Sequence, residues 1–336
     1  MKKIVRCLVG LFIFMAIIQN EYKASAYHTN TQSYQRQKNA NVKILNLDDV
    51  MLALANTDGQ TSEMVEKIMK EVGANARNSD GKTILMIAVA KSQNLNVVDA
   101  IIKNGISIDA RDKDGSTALM EAARHNQNPE IISLLINHGA DVNARNEEGL
   151  TPLLIAAQYN KNADVIETLI KYGANIESRD KDGKTVLISG IRNPKVVEVL
   201  LKNGADVEAR DKYGWTPLIH CLTSDSNIEV AELLLKYGAN IETTSKLGIG
   251  GLVRLSFLSA FRGLDNEIGK EYSVWTPLIF ASVFSSKPEI VELLINNGAD
   301  TKIKDIDGKT ALDYAKENPD IYQTNAYWLL NDKMYQ

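Results

Sequence analysis

Four histidines, two cysteines and one glycine-rich triplet are the residues of this chain whose types could do chemistry. His28, His125, His138 and His220 would have to supply a metal site, because imidazole is the commonest protein ligand for transition metals. No two of them stand at ligand spacing, and none lies in a motif with Cys221. Cys221 occupies a place that parallel segments fill with alanine, so a small buried core residue is expected there. Gly248-x-Gly250-Gly251 precedes a stretch with helical periodicity, and a glycine turn at a helix N-terminus can cradle phosphate. The Gly-Lys-Ser/Thr ending is missing, however. Val253 also stands where the dinucleotide fingerprint needs its third glycine. The triplet therefore reads as a hinge. No arrangement of Ser, His and Asp marks a nucleophile, and the acidic residues cluster in turns, where they cap and solvate. No catalytic, cofactor-binding or metal residue is assigned, and the chain does not read as an enzyme. A chemistry of contact remains: Tyr213, Trp215 and Trp275 are residue types that anchor protein interfaces.

The elements that must position these residues come from one phrase written seven times. A threonine opens a helix, an alanine-rich turn follows, then a leucine-rich run closed by Gly-Ala. The threonines are Thr83, Thr117, Thr151, Thr185, Thr216, Thr276 and Thr310, so the steps are 34, 34, 34, 31, 60 and 34. A fixed period in this range means stacked units. Residues 146–180 show the unit. Asn146-Glu147-Glu148-Gly149 is a turn with glycine where positive φ is needed. Thr151-Pro152 starts a helix, Thr capping free N–H groups and Pro at N1 losing no bond. Ala156 and Ala157 let a neighbouring helix approach. Asn160-Lys161-Asn162 breaks the helix. A second helix over 163–172 carries a stripe of Val165, Ile166, Leu169 and Ile170. Gly173 ends it as a C′ glycine. Neither helix can bury its stripe alone, so each unit needs neighbours on both sides.

Thr151-Pro152-Leu153 with Ala156-Ala157, and Gly139-Ala140-Asp141-Val142-Asn143, resemble the ankyrin repeat. The resemblance covers about 46–320 and implies an all-α solenoid of stacked helix pairs joined by hairpin-like turns. Its units are read at about 46–78 (an N-terminal cap), 80–112, 114–146, 148–180, 182–211, 213–244, 274–305 and 307–336 (a C-terminal cap). The chain departs from the family where a histidine usually follows Thr-Pro-Leu. Met86, Met120, Leu154, Ile188, Ile219, Ile279 and Asp313 stand there instead, which predicts apolar packing in place of a polar bridge in six of the seven. His220 lies one residue beyond and is not that histidine.

Two steps are irregular. The unit at 182–211 is three residues short, and Gly190 replaces an alanine in what reads as its first helix, at a cost of about 1 kcal/mol in a helix interior. It is expected to be the weakest joint. Between Gly238 and Thr276 about 26 residues are inserted, roughly 245–272. A helix is expected from 252 to 262 within them. Val274 then holds a turn position that is glycine elsewhere, so this hairpin must be built differently.

Lys2, Lys3 and Arg6 precede an apolar run, Cys7 to Ile18, too short to span a bilayer. With Ala24-Ser25-Ala26 it reads as a signal peptide over 1–26, followed by a flexible linker over 27–45. An exported bacterial protein, secreted or periplasmic, is expected. If the leader stays uncut, the chain is instead an envelope-anchored scaffold. Losing Lys2, Lys3, Arg6, Lys23 and Glu21 leaves 34 basic and 41 acidic side chains, net −7. That balance excludes nucleic acid as a partner, since phosphate needs a concentrated basic surface. A lone remaining cysteine excludes an internal disulfide.

In the resembled family, partners meet hairpin tips and the exposed ends of first helices. Carried over, this implies a protein partner and points to Arg124, Tyr159, Tyr213, Trp215, Trp275 and Phe284. Trp215 and Trp275 have a second reading, as structural residues packed on the adjoining hairpin. The expectation is a monomeric, non-enzymatic scaffold without cofactors. An enzyme or inhibitor built on the insertion is the less favoured alternative, because 26 residues are too few for a catalytic domain.

Overall fold

The computed structural model describes residues 65–66, 69–70, 73–74, 76–223, 227–247 and 273–336. The expected signal peptide and linker, most of the expected first cap, the glycine triplet and the body of the insertion with its expected helix lie outside the described residues.

Helices alternate in two rows. The first row holds α1 (Ile84–Lys91), α3 (Ala118–His125), α5 (Pro152–Tyr159), α7 (Val186–Ser189), α9 (Pro217–Thr223), α11 (Pro277–Phe284) and α13 (Ala311–Ala315). The second holds α2 (Leu95–Lys103), α4 (Pro129–Asn137), α6 (Ala163–Lys171), α8 (Pro194–Lys202), α10 (Ile228–Lys236), α12 (Pro288–Asn296) and α14 (Asn325–Tyr335). Each helix packs on its neighbour in its own row and on its pair in the other. One core runs continuously from Val65 to Leu330.

Local sequence explains the boundaries. Each opening threonine accepts the N3 backbone N–H through its hydroxyl, as in Thr151 to Leu154. Five of the second helices are capped by asparagine side chains: Asn94, Asn128, Asn162, Asn193 and Asn227. Only backbone and proline start α12, since Lys287 supplies no side-chain cap. At the other end Gly173, at φ 87°, donates to Ile170 O while Ala174 donates to Leu169 O. That paired closure satisfies carbonyls a helix end would otherwise leave open, and only glycine takes the turn at no steric cost. The residues after Thr-x-Leu are buried and apolar from Met86 through Ile279. Asp313 instead turns back to accept from the Thr310 backbone N–H at 2.9 Å.

Two ladders of hydrogen bonds tie the units together, and neither follows from the helix pattern. Asn126 Nδ2 donates to Val89 O and Ser92 O, and Asn160 Nδ2 to Ala123 O and Asn126 O, each at 2.7–2.9 Å. Asn318 makes the same bridge to Ser282 O and Ser285 O. Along the hairpins, Arg77, Arg111, Arg145, Arg179 and Arg210 each donate through Nη1 to their own hairpin glycine carbonyl and to the lead-out of the following unit.

The insertion is framed by two short strands, β1 (Ser245–Leu247) and β2 (Ser273–Trp275), which pair antiparallel with Ser245 opposite Trp275. In the next unit Asp305 pairs with Lys309 across the tip 306–308. Ser245 and Trp275 thus hold the places of Asp305 and Lys309. Residues 246–274, 29 of them, stand where three stand next door. Val274 is part of an extended strand, which suits a β-branched residue and removes any need for positive φ.

The short unit corrects one expectation. Gly190 is the C-cap of a four-residue helix, not a helix-interior residue. A Cβ there would lie 2.7 Å from Val196 Cγ1 and 3.5 Å from Ala157 Cβ. Glycine is present because α8 closes onto the end of α7, so the propensity cost assigned to it does not apply.

Candidate protein-contact surface

The residue before each capping threonine ends the hairpin arm and faces the next hairpin. Trp275 occupies that place and is 3% exposed. Its indole N–H donates to Asp305 Oδ2 at 3.1 Å, and its ring packs on Phe280, Phe284 and Tyr314 at 5.2–5.9 Å between centroids. Tyr314 O–H donates to the same carboxylate oxygen at 2.5 Å. Trp215 repeats the arrangement one unit earlier, 2% exposed, with its ring edge-on to His220 and Phe280. There Ser245 replaces the aspartate, and Trp215 Nε1 is buried with no hydrogen-bond partner among the described residues. Both tryptophans are therefore core residues, which corrects their reading as exposed anchors: stacking of the following unit covers them.

Asp211, beneath Trp215, has the same role as Asp305. It accepts from the backbone N–H groups of Tyr213 and Trp215 and meets His220 Nε2 at 2.9 Å. Burial pushes its carboxyl upward, but the His220 contact and the two N–H groups outweigh it, so its pKa lies below the ordinary carboxylate value. His220 is a structural partner here, as Tyr314 is to Asp305.

The remaining candidates separate into two places. Tyr213, half-buried at its hairpin tip, has Lys212 Nζ 5.0 Å from its ring centre. Lys212 pairs with Asp182 of the preceding hairpin. Phe284 is half-buried and leans on Trp275. Arg124 and Tyr159 meet in the open. Both lie in the last turn of a first-row helix, one unit apart, and the guanidinium sits 4.2 Å from the Tyr159 ring centre. Tyr159 keeps 46% of its surface exposed. A cation over the face of an aromatic ring is held there by about 0.5–1 kcal/mol at an exposed site. The pair is thus an ordered, amphipathic platform. Beside it, burial holds His125 below the usual imidazole value, with Arg124 and Lys82 acting in the same sense and Glu121 opposing.

Cys221 is buried, donates to Asn227 O at 3.4 Å, and has its thiol pushed up to about 12, mainly by burial. Among the described residues no three His, Cys, Asp or Glu side chains are grouped to hold a metal ion, and no helix is long and apolar enough to cross a membrane.

The fold and this surface define a stacked helix-pair scaffold. The family model described as ankyrin repeats (3 copies) matches residues 50–146, 123–211 and 153–245, and the ankyrin repeat model matches 275–306. The chain belongs to the ankyrin-repeat family. No curated protein matches it. Among solved structures, the human ASB11 ankyrin repeat domain is similar in fold, with a TM-score of 0.57 at 21% identity over 74% of this chain and 96% of that one. Ankyrin repeats typically mediate contacts between proteins, and membership of the family suggests a protein-interaction scaffold.

Proposed function

We propose that the chain is an exported scaffold that binds a protein partner through its hairpin tips and the exposed ends of its first-row helices. No catalytic step is assigned to it. The Arg124–Tyr159 platform carries the reading. A tyrosine nearly half exposed and braced by an arginine one unit away serves no burial, yet it has the residue types that dominate interface energetics. Tyr213 with Lys212 and Phe284 would extend the contact toward the insertion, while Trp215 and Trp275 hold the hairpins beneath. Export rests on the basic, apolar and small-residue order of 1–26.

Two measurements test the proposal. Mass spectrometry of the protein from its native source should find a mature N-terminus at Tyr27; an intact Met1 would make it an anchored scaffold instead. Crosslinking in the exported fraction should yield one partner with the native chain and lose it with the Arg124→Ala, Tyr159→Ala double variant. An undiminished crosslink in a folded double variant refutes the proposed surface.

A further inference from the structure

Charge is sorted between the two rows of helices. The first-row helices and the loops that follow them, from α1 to the start of α12, carry five cations among the described residues: Lys91, Arg124, Lys161, Arg192 and Lys287. Among the described residues the single acid in these segments is Glu121, which is buried and paired with Lys82 Nζ at 2.9 Å; in the sequence Asp225 also falls in the segment after α9. The second-row helices α2 to α12 carry nine acids and five lysines. A chain of net charge −4 therefore presents one edge that is basic and a face that is acidic.

The cations fall one to a unit, in the units of Thr83, Thr117, Thr151, Thr185 and Thr276. Lys91, Lys161, Arg192 and Lys287 are exposed, Arg124 is partly so, and none of the five is ion-paired among the described residues. Helix dipoles favour Lys91 and Arg124, which lie in last turns, but not the other three. Lys161 and Lys287 lie in loops ahead of second-row helices, at the positive end that cations avoid, and Arg192 follows a helix of one turn. Adjacent packed helices lie about 8–10 Å apart. A peptide in the extended polyproline II conformation advances about 3.1 Å per residue with three residues per turn, so carboxylates at every third residue share one face and would keep step with one cation per unit. Charges at this separation are near the Debye length of about 8 Å in physiological salt, so their fields overlap most at low ionic strength.

We infer that this edge receives an extended acidic segment of the partner protein, with carboxylates about three residues apart and an apolar side chain seated on the Arg124–Tyr159 platform. The inference rests on the proposed function and names the partner's chemistry. Lys161 and Arg192 lie on the same edge on the far side of that platform from Lys91, so both arms of a bound segment find a cation.

The test uses a labelled 16-residue peptide with glutamate at every third position and one central leucine, its glutamine counterpart, and phosphatidylglycerol vesicles, each titrated against the full chain. The glutamate peptide should bind, weaken as salt is raised, and lose about tenfold or more in affinity in the Lys161→Glu, Arg192→Glu variant. The Lys171→Glu, Lys202→Glu variant, which alters the second row, should change it by less than about twofold. Equal binding of the glutamine peptide, equal effects of the two variants, or binding to the vesicles but not to the peptide would overturn the inference. A crosslinked partner that is lost on Tyr159→Ala but kept on Lys161→Glu, Arg192→Glu would overturn it while leaving the proposed function standing.

Discussion

Gly190→Ala separates two accounts of the short unit. On helix propensity alone, replacing glycine by alanine gains up to about 1 kcal/mol. Gly190 has a φ of −85°, which alanine adopts freely, so backbone strain predicts nothing against the change. Packing predicts the opposite. The new methyl would lie 2.7 Å from Val196 Cγ1, well inside the usual contact of about 3.5–4.0 Å. Val196 is fully buried, β-branched and in the first turn of α8 after Pro194, so neither its rotamer nor its backbone yields cheaply. Overpacking of this kind costs about 1–3 kcal/mol. The net expectation is destabilisation by about 1–2 kcal/mol, read as a lower urea midpoint. Val196→Ala removes the opposing methyls, so the double variant should be more stable than the sum of the two single changes implies, by about 1 kcal/mol or more. Hydrogen exchange should place the loss in 182–211 and its neighbours, the joint expected to open first. A Gly190→Ala variant as stable as the native chain, or strictly additive effects in the cycle, would refute the packing argument. Uniform protection across 182–211 and the adjoining units would refute the weak joint.

Trp275→Phe should destabilise by about 1.5–3 kcal/mol more than Trp215→Phe in urea titrations, because only the first abandons a bond to a buried carboxylate. Equal losses would show that the two indole N–H groups are equivalent. Asp211 has a folded pKa below its unfolded one, so its contribution is present in full above about pH 4 and fades as pH falls through the depressed folded value. Acid unfolding of Asp211→Asn should accordingly lack part of the native slope below about pH 4, and an unchanged slope would contradict the assignment. Cys221 should resist Ellman's reagent at pH 8 until the array opens, since burial disfavours its thiolate. Labelling as fast as that of a free thiol would contradict its burial.

The parts of this structure legible in the sequence are those fixed within one unit. Threonine caps, prolines at N1 and glycine closures act over four or five residues, so Thr151, Pro152 and Gly173 announce their roles without help from neighbours. Features that depend on the next unit were harder to see. For Trp215 and Trp275 the sequence leaves two readings open, exposed anchor or residue packed on the adjoining hairpin, because the arm is open in a single repeat; stacking of the next unit buries them. Gly190 looks like a poor helix residue until Val196 is placed beside it. The arginine ladder was present in the numbers, because Arg77, Arg111, Arg145, Arg179 and Arg210 each precede their threonine by six residues. Its meaning required the carbonyl of the following unit. For the candidate surface, residue type and register point to Arg124 and Tyr159, while their contact and the basic edge they belong to emerge from the array as a whole.

That ladder gives the array a direction. Every arginine reaches forward, from one unit to the carbonyl of the next, and the series stops at Arg210, which grips Thr244 O and Thr243 Oγ1. Thr244 stands where the next arginine would, and Lys304 where the one after that would. A chain shortened from its C-terminal side within the first five units would end on a guanidinium deprived of one of its two carbonyls, whereas removal from the N-terminal side discards the donor together with the unit it serves. The two ends are thus unequal under tension and during synthesis. As units emerge in order, each completed one holds out an unfilled donor to its successor, and beyond Arg210 that task passes to the aromatic cluster around Asp305.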